Sequence, residues 1–187
     1  MQIEKLVSGH YYHIYNRGNN GQNIFFEDIN YTYFLDLIKK HLIPDFKILT
    51  YCLLPNHFHL LLKINEDCPR PSQKLSNLFN AYTKAINKKY NRTGSLLEKP
   101  FKRICVSNED YLRTLILYIH LNPENHQIHN NFSTYKHSSY QALISQGKTS
   151  IEREEVINLF DESVNFKETH QQKKVIINIE NENLILE

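Results

Sequence analysis

The sequence contains no run of about 18 apolar residues, the length a membrane-crossing helix needs, so a membrane-spanning role is not expected. The opening stretch MQIEKLVSGHYYHIYNRG lacks the charged start, apolar centre and small-residue cleavage site of a secretory leader, which points to the cytoplasm. The three cysteines, Cys52, Cys68 and Cys105, are odd in number and none belongs to a C-x-x-C pair. Disulfides and a cysteine-held zinc are therefore not expected, and reduced thiols are. Internal repeats and low-complexity tracts are also missing. What is present is a chain of 187 residues, 41% hydrophobic, enough for one compact domain with an appendage.

The formal net charge of +2 is unevenly spread: from Ile151 onward nine acids face four bases, a net of −5, which leaves +7 for residues 1–150. Lys84, Lys88, Lys89, Arg92, Lys99, Lys102 and Arg103 fall within twenty residues that hold one acid, Glu98, and they are interleaved with Tyr82, Tyr90 and Phe101. Such a segment suits a polyanionic partner, although a solvated helix face has the same composition.

Periodicity orders the chain. GHYYHIYNRG reads as a first strand, about residues 10–16, closed by the Gly/Asn turn cluster NRGNNGQN. FEDINYTYFLDLIKKHL reads as a helix on Ile29, Tyr33, Leu37 and Leu42, ended by Pro44. FKILTYCLL and HFHLLLKI, separated by Pro55-Asn56, predict an antiparallel pair. Leu75, Leu78, Phe79, Tyr82 and Ile86 predict an amphipathic helix, FKRICV a short strand, and SNEDYLRTLILYIHLNP a helix opened by Ser107 and Asp110 and stopped at Asn122-Pro123. This order is the ferredoxin-like split βαβ arrangement of an α+β fold, an antiparallel sheet with helices on one face and a further helix added. Residues 125–150 read as loop, EREEVINLF as a short helix and HQQKKVIINIENENLILE as a hairpin or tail. The expected division is a domain over 1–130 and an extension over 131–187.

The chemistry concentrates in LLPNHFHLLLKI. Strand alternation points His57 and His59 to one face and Phe58, Leu60 and Leu62 to the other. One core histidine is usually a structural residue. Two on one face need two sets of partners, which a divalent metal supplies together. Tyr118 and Asn122, at i and i+4, share one face of the last helix. A carboxamide oxygen would complete three protein ligands and leave open positions, and the phenol, with a free pKa of about 10, would need alignment and electrophilic help to act as a nucleophile. Tyr111 is a rival for that role, and His120 faces away from Tyr118. Lys84, Lys88 and Arg92, spaced i, i+4, i+8, are candidate phosphate contacts, with Lys102 and Arg103 in the same basic segment. Arg17, in a loop beside the first strand, is a candidate for contacting bases.

YCLLPNHFHLLL, YNRGNNGQNIFF and YIHLNP, supported by TGSLLEKPFKRICV and HSSY, resemble the diagnostic blocks of the REP-associated tyrosine transposases, IS200-like members of the HUH superfamily named for His, bulky hydrophobic, His. The resemblance runs over about residues 9–141. SLLEKPFK departs from the more usual Phe-Gln form of its block, and His137 stands where Trp is common. The resemblance implies that His57, His59 and Asn122 hold Mg²⁺ or Mn²⁺. It implies that Tyr118 attacks single-stranded DNA near imperfect hairpins, leaving a 5′-phosphotyrosine and a free 3′-hydroxyl that can be rejoined without ATP. A DNA-binding protein with silent chemistry is the alternative, and a zinc hydrolase ranks third for want of a nearby general-base Glu. The sequence leaves open whether the chain is a monomer or a homodimer that exchanges the tyrosine helix.

Overall fold

The computed structural model describes residues 4–43 and 45–172. The stretch 173–187 and the role of Pro44 as a helix stop, both subjects of expectation above, lie outside the described residues.

Four strands, β1 (Tyr11–Arg17), β2 (Phe46–Leu54), β3 (His57–Ile64) and β4 (Lys102–Cys105), form one antiparallel sheet in the order β2-β3-β1-β4. With α1 (Asp28–His41) between β1 and β2, and α2 (Pro71–Lys89) between β3 and β4, this is the split βαβ topology expected. The two central strands have few exposed residues because helices cover both faces. Phe58, Leu60, Leu62, Tyr12 and Ile14 meet α1 and α2 on one side, while Leu61, Leu49, Cys52 and Leu54 meet α3 (Glu109–Asn125) on the other. Phe58 is fully buried, its ring 5.0 Å from Phe34 and 5.3 Å from Phe79, a burial that stabilises by about 2–3 kcal/mol.

Pro71 sits at the start of α2, where its missing N–H costs nothing, and the helix buries Leu75, Leu78, Phe79, Tyr82 and Ile86 as the periodicity predicts. α1 departs from expectation. Leu37 and Leu42 are buried as expected, but Ile29 is 57% and Tyr33 37% exposed, and Tyr31, Phe34 and Ile38 complete the buried row with Leu37, at i, i+3, i+4 spacing. α3 is capped by Asn108, whose side chain accepts from Tyr111 N at 2.8 Å, one residue later than the expected Ser107. Pro123 does not stop it. The proline ring forbids one N–H bond but fits helical φ, so the chain continues to Asn125, and His126 N still reaches Asn122 O at 3.0 Å.

Residues 131–172 pack on the outer side of α3. They form a 3₁₀ turn at Phe132–Thr134, α4 (Tyr140–Ile144), α5 (Arg153–Asn158) and α6 (Ser163–Gln171). α4 and α6 were not foreseen; α5 was. The acidic α5 is tied to the sheet by Glu155, which accepts from Tyr11 Oη at 2.6 Å and pairs with Lys47.

β2 carries a bulge between Ile48 and Thr50, which interrupts the alternation and turns both Leu49 and Thr50 towards α3. There Thr50 meets a buried polar chain whose two imidazoles have one self-consistent direction. His170 Nδ1–H donates to Phe166 O (2.6 Å), so His170 Nε2 accepts from His120 Nδ1–H (2.9 Å). His120 Nε2 is thereby an acceptor for the hydroxyls of Thr50 (2.6 Å) and Ser139 (2.9 Å), which lie 2.6 Å from each other, and Ser139 accepts from Tyr51 N–H (2.9 Å). His120 does face away from Tyr118, and it ties α3 to the sheet on one side and to α6 on the other. No helix among the described residues is long and apolar enough to cross a membrane.

Candidate metal and nucleophile site

β3 lies between β2 and β1, so the histidines stand on the interior of the sheet rather than at an edge. In register, His59 is opposite Cys52 on one side and Tyr15 on the other, and His57 is opposite Leu54 and Arg17. Their rings are 5.2 Å apart at 87°. α3 crosses above them and brings the Tyr118 ring to 5.6 Å from His59, again edge to face at 87°. Tyr111 is half-buried near Tyr15 and Tyr118, and burial and these neighbours push its phenol up to about 12.

Asn122 is fully buried one turn after Tyr118. Its Nδ2 donates to Tyr118 O at 2.9 Å, which fixes the carboxamide and turns Oδ1 the other way. That oxygen meets no donor in hydrogen-bond geometry, although the side chain is close enough to His57 to favour its protonated form. His57 Nδ1 is 2.7 Å from Asn56 Oδ1, an acceptor, so Nδ1 carries the hydrogen and Nε2 the lone pair. His59 Nε2 is buried and has no hydrogen-bond partner. Burial, then the neighbouring His126 and Arg17, hold His57 down at about 4. Burial, then His13, His57 and His126, hold His59 far below the ordinary histidine value. Both imidazoles are neutral at pH 7.

Buried polar atoms without partners cost about 1–3 kcal/mol each. His59 Nε2 and Asn122 Oδ1 are two such atoms, on residues that share this site with His57. Among the described residues no group of three or more His, Cys, Asp or Glu is placed to hold a metal ion. A cation here would rest on two imidazoles and one neutral oxygen, with its other positions open to solvent or ligand oxygens. The donor set fits a divalent ion in that form.

Several residues at this site were not singled out from sequence. His13 lies 2.9 Å from His59, Tyr15 faces it across the strands, and the His126 ring is 4.8 Å from His57. The signals were present: Tyr11, His13 and Tyr15 share a face by alternation, and His126 follows Asn122 at i+4. Glu98 also lines the crevice with Tyr15, Arg17, His57, His59 and Lys102.

Of the basic candidates, the structure brings Arg17 and Lys102 to the histidines. Arg17 is the last residue of β1 rather than part of a loop, and it pairs with Glu98 at 2.6 Å. Arg103 points to the other side of β4, its guanidinium 3.9 Å from the centre of the Phe101 ring, and lines a cavity of about 670 Å³ with Asn16, Phe79, Asn80 and Glu98. Lys84 and Lys88 are exposed on α2, which covers the opposite face of the sheet from α3. Arg92 leaves their stripe: α2 ends at Lys89, Asn91 takes a left-handed φ of 49°, and Arg92 turns back to donate to Gln22 Oε1 at 2.7 Å.

A family model described as transposase, IS200-like, matches residues 6–122, a span that contains both histidines, the tyrosine and the asparagine. A solved structure described as a REP-associated tyrosine transposase bound to a REP hairpin superposes with a TM-score of 0.68 at 17% identity, covering 79% of this chain and 86% of that one. That likeness shows a shared fold. A second structure, described as a candidate transposase from Deinococcus radiodurans, is 14% identical with a TM-score of 0.44, covering 67% of this chain and 96% of that one. No curated protein matches the sequence.

Proposed function

The chain belongs to the IS200-like transposase family, and on that premise we propose that it is a metal-dependent, single-tyrosine transposase that cleaves and rejoins single-stranded DNA beside hairpins. The observation that carries the reading is the meeting of the Tyr118 ring with His59 beside two buried, unpartnered ligand atoms, His59 Nε2 and Asn122 Oδ1. The hairpin in the related solved structure supports DNA as the partner, as does the basic character of residues 1–150.

In this reading His57, His59 and Asn122 hold Mg²⁺ or Mn²⁺, which when bound polarises the scissile phosphate and offsets the charge that develops on it. Tyr118 Oη attacks phosphorus. The phenol gives up its proton as the new P–O bond to tyrosine replaces the P–O3′ bond, the 3′-oxygen leaves as a hydroxyl after taking up a proton, and the 5′-phosphate stays on the protein. One phosphodiester is exchanged for another, so the reverse attack by a 3′-hydroxyl rejoins DNA without a nucleotide cofactor. Lys102 and Arg17, which line the crevice, meet backbone phosphates in this reading, with Arg17 exchanging Glu98 for the strand. Lys84, Lys88, Arg92 and Arg103 would contact DNA farther out. Residues 131–187 serve the domain over 1–130 as an extension whose described part braces α3.

The test is to incubate the full chain with end-labelled, hairpin-bearing single-stranded DNA and Mn²⁺ and to look for a protein–DNA species that survives denaturant. Wild type forms it and Tyr118→Phe does not. A surviving adduct in Tyr118→Phe would move the nucleophile elsewhere. Salt-sensitive binding without any adduct on a panel of hairpins would favour a DNA-binding protein with silent chemistry.

A further inference from the structure

His13 lies near the middle of β1, fully buried, on the same face of the sheet as His59. Its Nε2 is 2.9 Å from His59 Nδ1, and the two rings lie 5.1 Å apart at 18°. Tyr15 packs on it at 4.6 Å. The remaining nitrogens, His13 Nδ1 and His59 Nε2, are both buried without a hydrogen-bond partner.

Each neutral imidazole has one N–H and one lone pair, so this contact admits two arrangements. In the first, His59 Nδ1–H donates to His13 Nε2, and His59 presents a bare lone pair at Nε2. In the second, His13 Nε2–H donates to His59 Nδ1, and His59 Nε2 carries a hydrogen that cannot ligate anything. The two are equal in hydrogen-bond count while Nε2 has no partner. They become unequal once a cation sits between His59, His57 and Asn122, because only the first arrangement offers it His59.

We propose that His13 is a positioning residue for the metal site: by accepting from His59 Nδ1–H it holds His59 in the tautomer whose Nε2 faces the cation. The proposal rests on the functional reading above. It assigns β1, which supplies no ligand, the task of orienting one. Groups that accept from the far nitrogen of a ligating histidine fix its ring and raise its basicity, and losing them typically weakens metal affinity by 10- to 100-fold.

Three replacements separate orientation from packing. In His13→Gln the side-chain oxygen falls near the position of Nε2 and can still accept. In His13→Asn the oxygen falls near the position of Nδ1 and cannot. His13→Phe keeps the flat ring and has no acceptor. Mn²⁺ binding to the full chain is measured by the loss of the free-ion electron paramagnetic resonance signal, with hairpin-DNA binding in metal-free buffer as the control for folding. Expected are a Kd for Mn²⁺ raised about 10- to 100-fold in His13→Phe and His13→Asn, and kept within about threefold of wild type in His13→Gln. Long-range ¹H–¹⁵N spectra of wild type with a diamagnetic Mg²⁺ load should show the His59 hydrogen on Nδ1.

Wild-type affinity in His13→Phe, equal losses in Gln and Asn, or a His59 hydrogen on Nε2 would each overturn the role of His13 while leaving the metal site standing. If wild type binds neither Mn²⁺ nor Mg²⁺, the metal reading itself fails and takes this one with it. Should His13→Phe fail to fold, the contrast between Gln and Asn decides alone.

Discussion

Replacing Ser139 by alanine tests whether the buried polar chain beneath α3 stabilises the fold. Ser139 is fully buried, and its hydroxyl is the acceptor for Tyr51 N–H at the bulge of β2 and the partner of Thr50 and His120. Alanine leaves the Tyr51 N–H without that acceptor, at a cost of about 1–3 kcal/mol, and removes the bond to Thr50, worth about 1 kcal/mol. The expected loss is about 2–4 kcal/mol, a fall in Tm of roughly 5–12 °C for a chain of this size. Thr50→Val should cost less, about 1 kcal/mol, because His120 Nε2 keeps Ser139 at 2.9 Å. The double variant should fall short of the sum, since both changes break the same chain. Urea denaturation followed by circular dichroism and tyrosine fluorescence gives these differences directly. A loss below about 0.5 kcal/mol in Ser139→Ala would mean that water takes the vacated place, and the claim that this chain fastens α3 would be wrong.

Two further outcomes are expected. Burial holds His170 down at about 4, so below the unfolded value of about 6.5 the unfolded chain takes up the proton first. The stability this contributes is present above pH 6.5 and is lost as pH falls towards 4. His170→Gln should reduce the fall by up to about 1.4 kcal/mol per pH unit within that window; urea midpoints at pH 7, 6 and 5 report it, and an unchanged slope would refute it. Replacing Lys84 and Lys88 together by alanine should lower the slope of log Kd against log salt for single-stranded DNA by about 1.4 if both meet phosphates. An unaltered slope would make them plain surface charge.

The parity of β3 is legible because a period of two acts within five residues: His57 and His59 on one face follow from HFHLL alone. The same holds for α2, where five apolar residues recur at helical spacing and all five are buried. Other features were hidden for identifiable reasons. The bulge of β2 leaves no mark in FKILTYCLL, which is apolar almost throughout, so the turn of Thr50 towards His120 could not be read. Asn122-Pro123 predicts a helix stop, yet within the last turn a proline can be carried by the bonds of its neighbours, and α3 runs on to Asn125. His13 needed the pairing of β1 with β3, which depends on register across 46 residues of chain. Arg92 shared a spacing with Lys84 and Lys88, but spacing has meaning only while the helix lasts, and Asn91 ends it.

α3 packs on β2 and β3 of its own chain, and its far side is held by segments of that chain as well. If α3 keeps that packing in solution, His57, His59, Tyr118 and Asn122 are supplied by one polypeptide. A mixture of His59→Ala and Tyr118→Phe chains would then contain no complete site in any stoichiometry, and adduct formation should not be restored by mixing. Recovery of a quarter or more of wild-type yield would require helices to trade places between molecules. A failure to complement would make the single chain the genetic unit, and the place of one helix would be what decides it.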